Sequence, residues 1–420
     1  MNKIDNLSRR SFLKRSTAAG AGASAFTIIK PELVRGAGKE RLRAGLIGVG
    51  GRGSGAIDNC LTGNDNVEIV ALADIFEDHL EQNLARMRTR KYADRIKVDA
   101  EHRFVGFDAY KKLVASDVDF VMLCTPPGYR PEHFEAAINA KKHVFCEKPI
   151  ATDPVGVRRF MAAVKKAEQL KLTVVSGAQR HSSTEYVETV QKIQNGAIGD
   201  IVALYSQYLS GPVMHAKSRD PKWGDMEWEH RNWYSFIWIC GDQIVEQHFH
   251  NIDFINWVMN AHPASVVASG GAVWRPHEEL YGNIYDHLSS DFVYPNGVHL
   301  SSTCRQYPKG CYSRVDDLIV GTKGRSTGTD MGTKGINGQV QEHINLVKSI
   351  LGQGPYINHG MQVAESTMTC IMARESGYSG QRITWEQIMN SQQDLQPKAF
   401  DYRLEMTPPP LPVPGQYKFT

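Results

Sequence analysis

Short apolar runs alternate with amphipathic stretches between residues 41 and 178. The apolar runs have the length of buried strands, and the stretches between them carry apolar residues at the helical period. Because strands that alternate with helices build a parallel sheet, this region predicts an α/β domain. The predicted strands are 42–48, 67–73, 118–125, 143–146 and 172–176, and the predicted helices are 54–61, 107–116, 131–141 and 153–170.

From residue 179 onward the pattern changes. Strand-like runs follow a predicted helix at 183–195 and precede another at 358–374, which suggests an open, mostly antiparallel sheet. These runs are 202–208, 264–273, 287–294, 298–306 and 318–321. The predicted fold class is α/β with two domains, as a chain of 420 residues favours. The predicted segments are a leader at 1–36, the first domain at 37–178, the second domain at 179–394 and a proline-rich surface tail at 395–420.

Charge separates the leader from the rest of the chain. Residues 1–36 hold seven Lys and Arg but only Asp5 and Glu32, whereas the remaining residues hold 41 Lys and Arg against 43 Asp and Glu. The formal charge of +3 therefore becomes −2 without the leader. This balance excludes a basic surface for nucleic acid.

The leader itself has the order of an export signal. Ser8-Arg9-Arg10-Ser11-Phe12-Leu13-Lys14 precedes an Ala- and Gly-rich apolar run at 17–29, which is too short for an ordinary membrane-spanning helix. The segment resembles a twin-arginine signal, so we expect the twin-arginine export machinery as a partner and a periplasmic location. The alternative is a disordered basic terminus.

A glycine-rich loop follows the first predicted strand. In a G-x-G-x-x-G loop, the first glycine permits a tight turn, the second lets backbone amides approach a pyrophosphate, and the third allows close helix packing. Asp74 ends the second strand, where it would accept hydrogen bonds from ribose hydroxyls and favour NAD over NADP. Because Arg52 lies in the same loop, NADP remains an alternative cofactor. Asp74 could instead cap a helix beginning near Glu77. The predicted cofactor contacts here are Gly48, Gly50, Gly51, Arg52, Gly53 and Asp74.

Two further motifs end strands at the edge of the sheet where ligands bind. Thr125-Pro126-Pro127 ends one strand, and Cys146-Glu147-Lys148-Pro149 ends the next. Together with the glycine loop and Asp74, these motifs resemble the Gfo/Idh/MocA oxidoreductases over roughly residues 41 to 385. The resemblance implies an N-terminal Rossmann NAD(P)-binding domain with cofactor contacts from Thr125, Pro126, Glu147 and Lys148. It also implies that Lys148 contacts the substrate and is catalytic.

The second domain contains a segment similar to the family's Asp-x-x-x-His motif. Glu246 stands at the acidic position and His250 at the histidine, an i, i+4 pair that one helix would place on one face. We expect His250 to act as the base, Glu246 to orient it, and Lys148 to hydrogen-bond the reacting oxygen. The alternative is a capped helix start with a structural histidine.

Glu246, His248 and His250 carry side chains that commonly bind metal ions. On a helix, His248 would lie off the face that the other two share, so no metal is expected, and His248 is assigned to the substrate instead. The seven cysteines form no C-x-x-C pair and no set with the spacing of metal ligands.

Aromatic residues crowd into a short part of the second domain. Such density suits a platform for sugar rings, while core packing or a dimer contact is the alternative. The cluster comprises Trp223, Trp228, Arg231, Asn232, Trp233, Tyr234 and Trp238. Arg231 and Trp233 of this cluster are assigned to the substrate. Arg180 is assigned to it as well, because the family often uses the segment between the domains in its active site, while a structural role is the alternative. In the family the open sheet commonly forms an oligomer interface, so the resemblance implies a homodimer or homotetramer.

These features favour an NAD(P)-dependent oxidoreductase that acts on a ring hydroxyl of a sugar or glycoside. Outside the cytoplasm no dependable pool of free NAD exists, so an exported enzyme of this kind is expected to retain its cofactor and regenerate it in place. The alternatives are a redox-neutral NAD-dependent glycosidase, which oxidises, eliminates and reduces, and a cofactor-binding sensor without catalysis.

Overall fold

The first sheet has six parallel strands in the order β3-β2-β1-β4-β5-β6. The computed structural model describes residues 40–213, 216–275 and 279–420, so the predicted leader lies outside the described residues. Apolar side chains make the central strands β1, β2, β4 and β5 almost completely buried. The strands are β1 Leu42–Ile47, β2 Val67–Asp74, β3 Arg103–Val105, β4 Phe120–Leu123, β5 His143–Cys146 and β6 Val174–Ser176.

Helices join these strands, as the alternating pattern predicted. They are α1 Gly51–Gly63, α2 Glu77–Met87, α3 Ala109–Ala115, α4 Arg130–Asn139 and α5 Pro154–Gln169. The short strand β3 was not predicted, because its three residues RFV carry no apolar run. The strand order reverses between β1 and β4, and the crevice outside the carboxyl ends of strands at such a point is where ligands bind in open α/β sheets.

The second sheet has seven strands in the order β12-β11-β7-β10-β9-β8-β13. Its neighbouring strands are antiparallel except for β7 and β10, which are parallel, so the prediction of a mostly antiparallel sheet is confirmed. The strands are β7 Ile201–Ser210, β8 Ser265–Gly271, β9 His287–Val293, β10 His299–Gln306, β11 Arg314–Gly321, β12 Arg325–Ser326 and β13 Ile383–Thr384.

Further α-helices follow β6 in the chain, and several of them pack on this sheet. They are α6 Thr184–Gln194, α7 Asp225–Arg231, α8 Ile237–Cys240, α9 Gln243–Glu246, α10 Phe249–Met259, α11 Gly338–Ile350, α12 Gly360–Ser379 and α13 Trp385–Asn390. Helix α12 is buried along almost its whole length. No helix in the described part of the chain is long and apolar enough to cross a membrane.

Helix α11 packs on the first sheet although the sequence assigned it to the second domain. Leu346, Val347 and Ile350 belong to the same apolar cluster as the side chains of β1 and α1. A Cβ at Gly63 would lie 2.8 Å from Ile344 and 3.0 Å from Val340, so the end of α1 contacts α11 closely. The chain therefore returns to the first domain after building the second sheet.

Candidate active site

The loop between β1 and α1 is tight on its inner side and open on its outer side. Gly48 has a φ of +90°, and a Cβ there would lie 2.6 Å from the backbone nitrogen of Thr125. A Cβ at Gly53 would lie 2.0 Å from the Gly48 carbonyl oxygen, so the loop requires glycine at both positions. A Cβ at Gly50 or Gly51 would meet nothing within 4 Å. The open side gives a pyrophosphate access to the N-terminus of α1.

Asp74 lies beside this loop at the end of β2. Its carboxylate accepts hydrogen bonds from the backbone nitrogens of Val49 at 2.7 Å and Phe76 at 2.9 Å. Burial raises the pKa of Asp74, and these two hydrogen bonds oppose that rise. Phe76, not Asp74, is the N-cap residue of α2. Asp74 therefore has the position that a ribose-binding carboxylate needs, and the helix-cap alternative does not describe it.

Arg52 points toward two carboxylates of other elements. Its Nε donates to Glu147 at 2.5 Å, and its Nη2 lies 3.6 Å from Glu342 of α11. Burial by itself would lower the pKa of Arg52, but Glu147, together with the nearby Cys124 and Glu342, raises it. The guanidinium is thus held by Glu147, with Glu342 close by, and not by Asp74.

One cavity of about 670 Å³ joins the glycine loop to the strand ends. We call its two extremes the Asp74 end, with Asp74, Phe76, His79 and Arg231, and the Lys148 end, with Arg130, Lys148, Glu246 and His250. The predicted site residues that line the cavity are Gly48, Gly50, Gly51, Arg52, Gly53, Asp74, Thr125, Pro126, Glu147, Lys148, Arg231, Trp233, Glu246 and His250.

Lys148 is held by Glu246 at the cavity. Its Nζ donates to the backbone carbonyl of Glu246 at 2.6 Å and lies 3.3 Å from the Glu246 carboxylate. The other carboxylate oxygen of Glu246 accepts from Gln247 at 2.7 Å. The structure therefore joins Glu246 to Lys148, whereas the sequence predicted that Glu246 orients His250.

An interruption of the helix explains this difference. Helix α9 ends at Glu246 and α10 begins at Phe249, so Glu246 and His250 do not share one helix. The His250 imidazole still lines the cavity, and it has no hydrogen-bond partner among the described residues. Burial and the charge of Lys148 lower the pKa of His250 well below its ordinary value.

His248 lies away from the cavity, which contradicts its assignment to the substrate. Its ring is fully buried, Nε2 hydrogen-bonds Ser302 at 2.6 Å, and burial lowers its pKa to about 3. The break before α10 turns His248 toward the second sheet while His250 faces the cavity. Across the described ranges, no group of three His, Cys, Asp or Glu side chains is arranged to hold a metal ion.

Arg180 is also placed apart from the cavity. Its guanidinium bonds Asp317 at 2.7 Å and lies over the rings of Tyr186 and Phe254. Asp317 in turn accepts from Ser206 at 2.5 Å. Because this paired group faces the second sheet, the structure contradicts the assignment of Arg180 to the substrate.

Arg231 lines the cavity at the Asp74 end, whereas the sugar is expected at the Lys148 end. Its two terminal nitrogens bond Asp78 at 3.0 and 3.2 Å, and its Nε bonds Glu227 at 2.9 Å. The guanidinium carbon lies 3.9 Å from the centre of the Phe76 ring. Arg231 therefore joins the second domain to the nucleotide end of the first, a role that the sequence did not suggest.

Most of the predicted sugar platform is protein interior. Trp228 and Trp238 are 2% and 6% exposed, and their indole nitrogens donate to Lys217 and Glu229. They form an apolar cluster with Tyr129, Phe236 and Ile239. Trp233 is the tryptophan of this group that lines the cavity. Tyr234 lines it as well, whereas core packing is the role that the structure supports for Trp228 and Trp238.

The proline-rich tail packs beside the Asp74 end of the cavity, which the sequence did not indicate. Tyr402 of the tail donates its hydroxyl hydrogen to the carbonyl of Ile75, directly after Asp74. Its ring centre lies 4.6 Å from that of Phe107 and 6.1 Å from that of Phe76. No apolar period or motif in the tail indicated this contact.

Backbone contacts attach the tail to α7. The nitrogens of Met226 and Glu227 lie 3.3 Å from the carbonyls of Leu404 and Tyr402. The backbone nitrogen of Met406 donates to Asp225 at 2.9 Å. We call residues 223–231 and 400–406 together the cover, because they contact each other and the residues that directly follow Asp74.

Comparison with known proteins agrees with this geometry. Residues 42–176 match the family model described as an oxidoreductase family with an NAD-binding Rossmann fold, and residues 186–327 match the model of the GFO/IDH/MocA C-terminal domain. These two ranges include the glycine loop, Lys148 and His250. The expected NAD-binding Rossmann domain is thereby confirmed.

Curated relatives are oxidoreductases. The uncharacterized oxidoreductase YrbE of Bacillus subtilis is 23% identical over 68% of this chain and 73% of its own. Myo-inositol 2-dehydrogenase of Thermotoga maritima is 25% identical over 55% of this chain and 59% of its own, so the match covers little more than half of that enzyme.

Solved structures share the fold. Scyllo-inositol dehydrogenase from Lactobacillus casei, with bound NAD(H) and scyllo-inositol, superposes with a TM-score of 0.63 over 82% of this chain and 99% of its own, at 17% identity. At that identity the likeness concerns the fold alone. With both family models matched in order along the chain, the protein belongs to the Gfo/Idh/MocA family of oxidoreductases.

Proposed function

We propose that the protein oxidises a ring hydroxyl of a sugar or cyclitol with NAD as the hydride acceptor. The observation that carries the proposal is the position of Lys148 and His250 on the same cavity as the glycine loop. The relatives named as inositol dehydrogenases support a polyhydroxylated ring as the substrate. A nicotinamide bound in this cavity would accept the hydride that leaves the carbinol carbon.

His250 is the proton acceptor in this proposal. Its imidazole has no hydrogen-bond partner among the described residues, and its lowered pKa keeps it neutral at neutral pH. A neutral imidazole on the cavity wall is free to take the hydroxyl proton of a bound ring.

Lys148 would donate a hydrogen bond to the same substrate oxygen and stabilise negative charge on it. Glu246 holds Lys148 with a backbone carbonyl and a carboxylate, so it acts as a positioning residue for the lysine. This assignment replaces the predicted contact between Glu246 and His250.

The cofactor is proposed to be NAD and to stay bound between turnovers. Asp74 would receive the ribose hydroxyls and repel a 2′-phosphate, while Arg52 is engaged by Glu147 and Glu342. The cover across the Asp74 end hinders exchange of the nucleotide. Retention also suits the proposed export through the twin-arginine machinery to the periplasm, where free NAD is scarce.

Mass spectrometry of the cofactor released from natively purified protein tests the retained nucleotide. We expect one NAD or NADH per chain, and no NADP. Purified protein without nucleotide would contradict the proposed retention, and NADP in its place would contradict the role of Asp74.

A panel of sugars, cyclitols and chromogenic glycosides tests the reaction. We expect reduction of the bound nicotinamide and a ketosugar or ketocyclitol product. Aglycone release without added NAD would instead establish the redox-neutral glycosidase, and binding without turnover across the panel would establish the sensor.

A homodimer or homotetramer is proposed through the uncovered face of the second sheet. Apolar side chains on this sheet are exposed, with Val202 at 52%, Tyr205 at 46% and Val267 at 50%. Exposed apolar patches of this kind are typical of contacts between protein surfaces. Light scattering on the purified protein gives the number of chains.

A further inference from the structure

Arg130 is a buried arginine at the Lys148 end that the sequence analysis did not single out. It is the first residue of α4, follows Thr125-Pro126-Pro127 closely, and is 4% exposed. One terminal nitrogen, Nη1, donates to the carbonyl of Pro149, next to Lys148. Nε is buried without a hydrogen-bond partner, and Nη2 has none among the described residues. The side chain lines the cavity, so these unpaired donors belong to the site.

Other buried arginines show what Arg130 lacks. The fully buried Arg374 lies 2.8 Å from the carboxylate of Glu375 and donates to two backbone carbonyls and Gln393. Arg180 lies 2.7 Å from Asp317. No carboxylate lies within 4 Å of Arg130 among the described residues. Because a buried charge is costly unless it is paired, Arg130 requires a partner that the protein itself does not supply.

The other charges at this end do not supply that partner. Lys148 contacts Glu246, and Arg52 contacts both Glu147 and Glu342. Burial, with the nearby Glu147, raises the pKa of Glu342 well above its ordinary value, which favours the neutral acid. Both carboxyl oxygens of Glu342 are buried without hydrogen-bond partners, so Glu342 does not bond Arg130. Arg130 therefore leaves one positive charge unmatched.

A ligand with one negative charge would match it. The pyrophosphate of a dinucleotide belongs at Gly50 and Gly51, where the loop is open, and so lies at another part of the cavity. An oxidised nicotinamide would add a further positive charge near Lys148. The unmatched charge thus selects for an anionic group on the substrate, and a carboxylate fits the planar fork of a guanidinium.

We propose that the substrate is a sugar acid or an acidic cyclitol and that Arg130 binds its carboxylate. This inference rests on the proposed oxidation of a ring hydroxyl and narrows its substrate class. In this arrangement Lys148 and His250 act on a ring hydroxyl while Arg130 fixes the acidic substituent of the same ring.

Matched pairs of neutral and acidic sugars test the inference. The holoprotein is mixed with glucose or glucuronate, and with galactose or galacturonate, while nicotinamide fluorescence reports reduction and calorimetry reports binding. We expect the wild type to favour the uronate of each pair by about 10- to 100-fold, the range of a charge-assisted hydrogen bond. Arg130→Gln should remove this preference by weakening the binding and oxidation of the uronate alone. Arg130→Lys should keep part of the preference.

Arg158→Gln is the control for a lost guanidinium. Arg158 also donates to backbone carbonyls, those of Met389 and Ser391, but it does not line the cavity. We expect this variant to keep the preference for uronates. Thermal unfolding of each variant with and without glucuronate adds a measurement that needs no turnover.

The outcomes separate the inference from the proposed function. The inference is overturned if the wild type binds and oxidises both members of each pair equally. It is also overturned if Arg130→Gln weakens binding and oxidation of both members equally. Either result leaves the proposed oxidoreductase function intact. Binding of uronates that depends on Arg130, without nicotinamide reduction by any substrate, supports the inference and contradicts the proposed oxidation. Absence of uronate binding to the wild type also overturns the inference.

Discussion

The two ends of the cavity differ in how completely their polar groups are paired. At the Asp74 end, Arg231 bonds both Asp78 and Glu227, and Asp74 accepts from two backbone nitrogens. At the Lys148 end, His250 lacks a hydrogen-bond partner among the described residues, and Arg130 lacks a carboxylate within 4 Å. One end is closed by the protein itself, and the other presents free donors and acceptors.

This difference suggests that the two ends of the cavity have different functions. Paired groups that bridge the domains hold an element in place, as the Arg231 contact with Asp78 holds the cover over the first domain. Unpaired groups in a cavity gain their partners from a ligand, because buried polar groups are otherwise costly. We therefore expect the Asp74 end to govern cofactor retention and the Lys148 end to govern chemistry, and changes at each end should affect one property alone.

The largest effect is expected from His250→Ala. Loss of the proton acceptor should lower kcat by about 10³-fold, within the range for general bases. The nucleotide content of the purified protein should stay at the wild-type level, because His250 lies outside the cover. Single-turnover reduction of the bound nicotinamide measures the first quantity, and mass spectrometry measures the second.

The pH dependence of kcat/KM is a second test of the role of His250. Since the pKa of His250 is lowered from its ordinary value of 6.5, the imidazole stays neutral as the pH falls through 6.5. The acid limb of kcat/KM should therefore lie below pH 6.5. An acid limb at or above that value would contradict His250 as the base. His299→Ala, at an exposed histidine that pairs with Asp291, serves as the control and should leave the profile unchanged.

Lys148→Met should have the next largest effect. Loss of the donor to the reacting oxygen should lower kcat by about 10²-fold, with the cofactor still bound. Lys166→Met, at an exposed lysine that bonds Asn139, should leave kcat unchanged. A fall in nucleotide content that matches the fall in kcat would show that Lys148 serves retention, and would remove the proposed difference between the two ends.

The sequence predicted the part of the site that local patterns encode. The glycine loop, Asp74 and Lys148 each stand directly after a buried apolar strand, so their place at the sheet edge followed from the order of elements. The roles of His248 and Glu246 did not follow, because they depend on the break between α9 and α10 at Gln247 and His248. A helical period over 246–259 conceals that break.

Long-range contacts account for the rest of the difference. Arg231 and Asp78 are separated by 153 residues, so no local pattern associates them. The tail residue Tyr402 and its partner Ile75 lie still farther apart, and the tail has no apolar period. Arg130 did carry one signal, since a charged residue near the end of a buried strand lies at the ligand-binding edge. Its lack of a carboxylate partner could be seen only in three dimensions.

The smallest effect, and the one that tests the Asp74 end, is expected from Arg231→Gln. The glutamine cannot bridge Asp78 and Glu227, so the cover should detach more often and the nucleotide should leave about tenfold faster, as the loss of one partly exposed charged contact allows. The rate of nicotinamide reduction in a single turnover should stay at the wild-type value. Arg314→Gln, which breaks an exposed contact with Asp316 on the second sheet, outside the cover, is the control.

Exchange of bound cofactor against labelled NAD, followed by mass spectrometry, measures release in the Arg231→Gln protein. Tyr402→Phe removes a second hydrogen bond between the cover and the first domain, that to Ile75, so the double variant should release the nucleotide faster than either single variant. If release is unchanged in all three while His250→Ala still abolishes turnover, the cover does not retain the cofactor. If Arg231→Gln instead slows reduction and leaves release unchanged, the Asp74 end takes part in chemistry, and the division between the two ends is wrong.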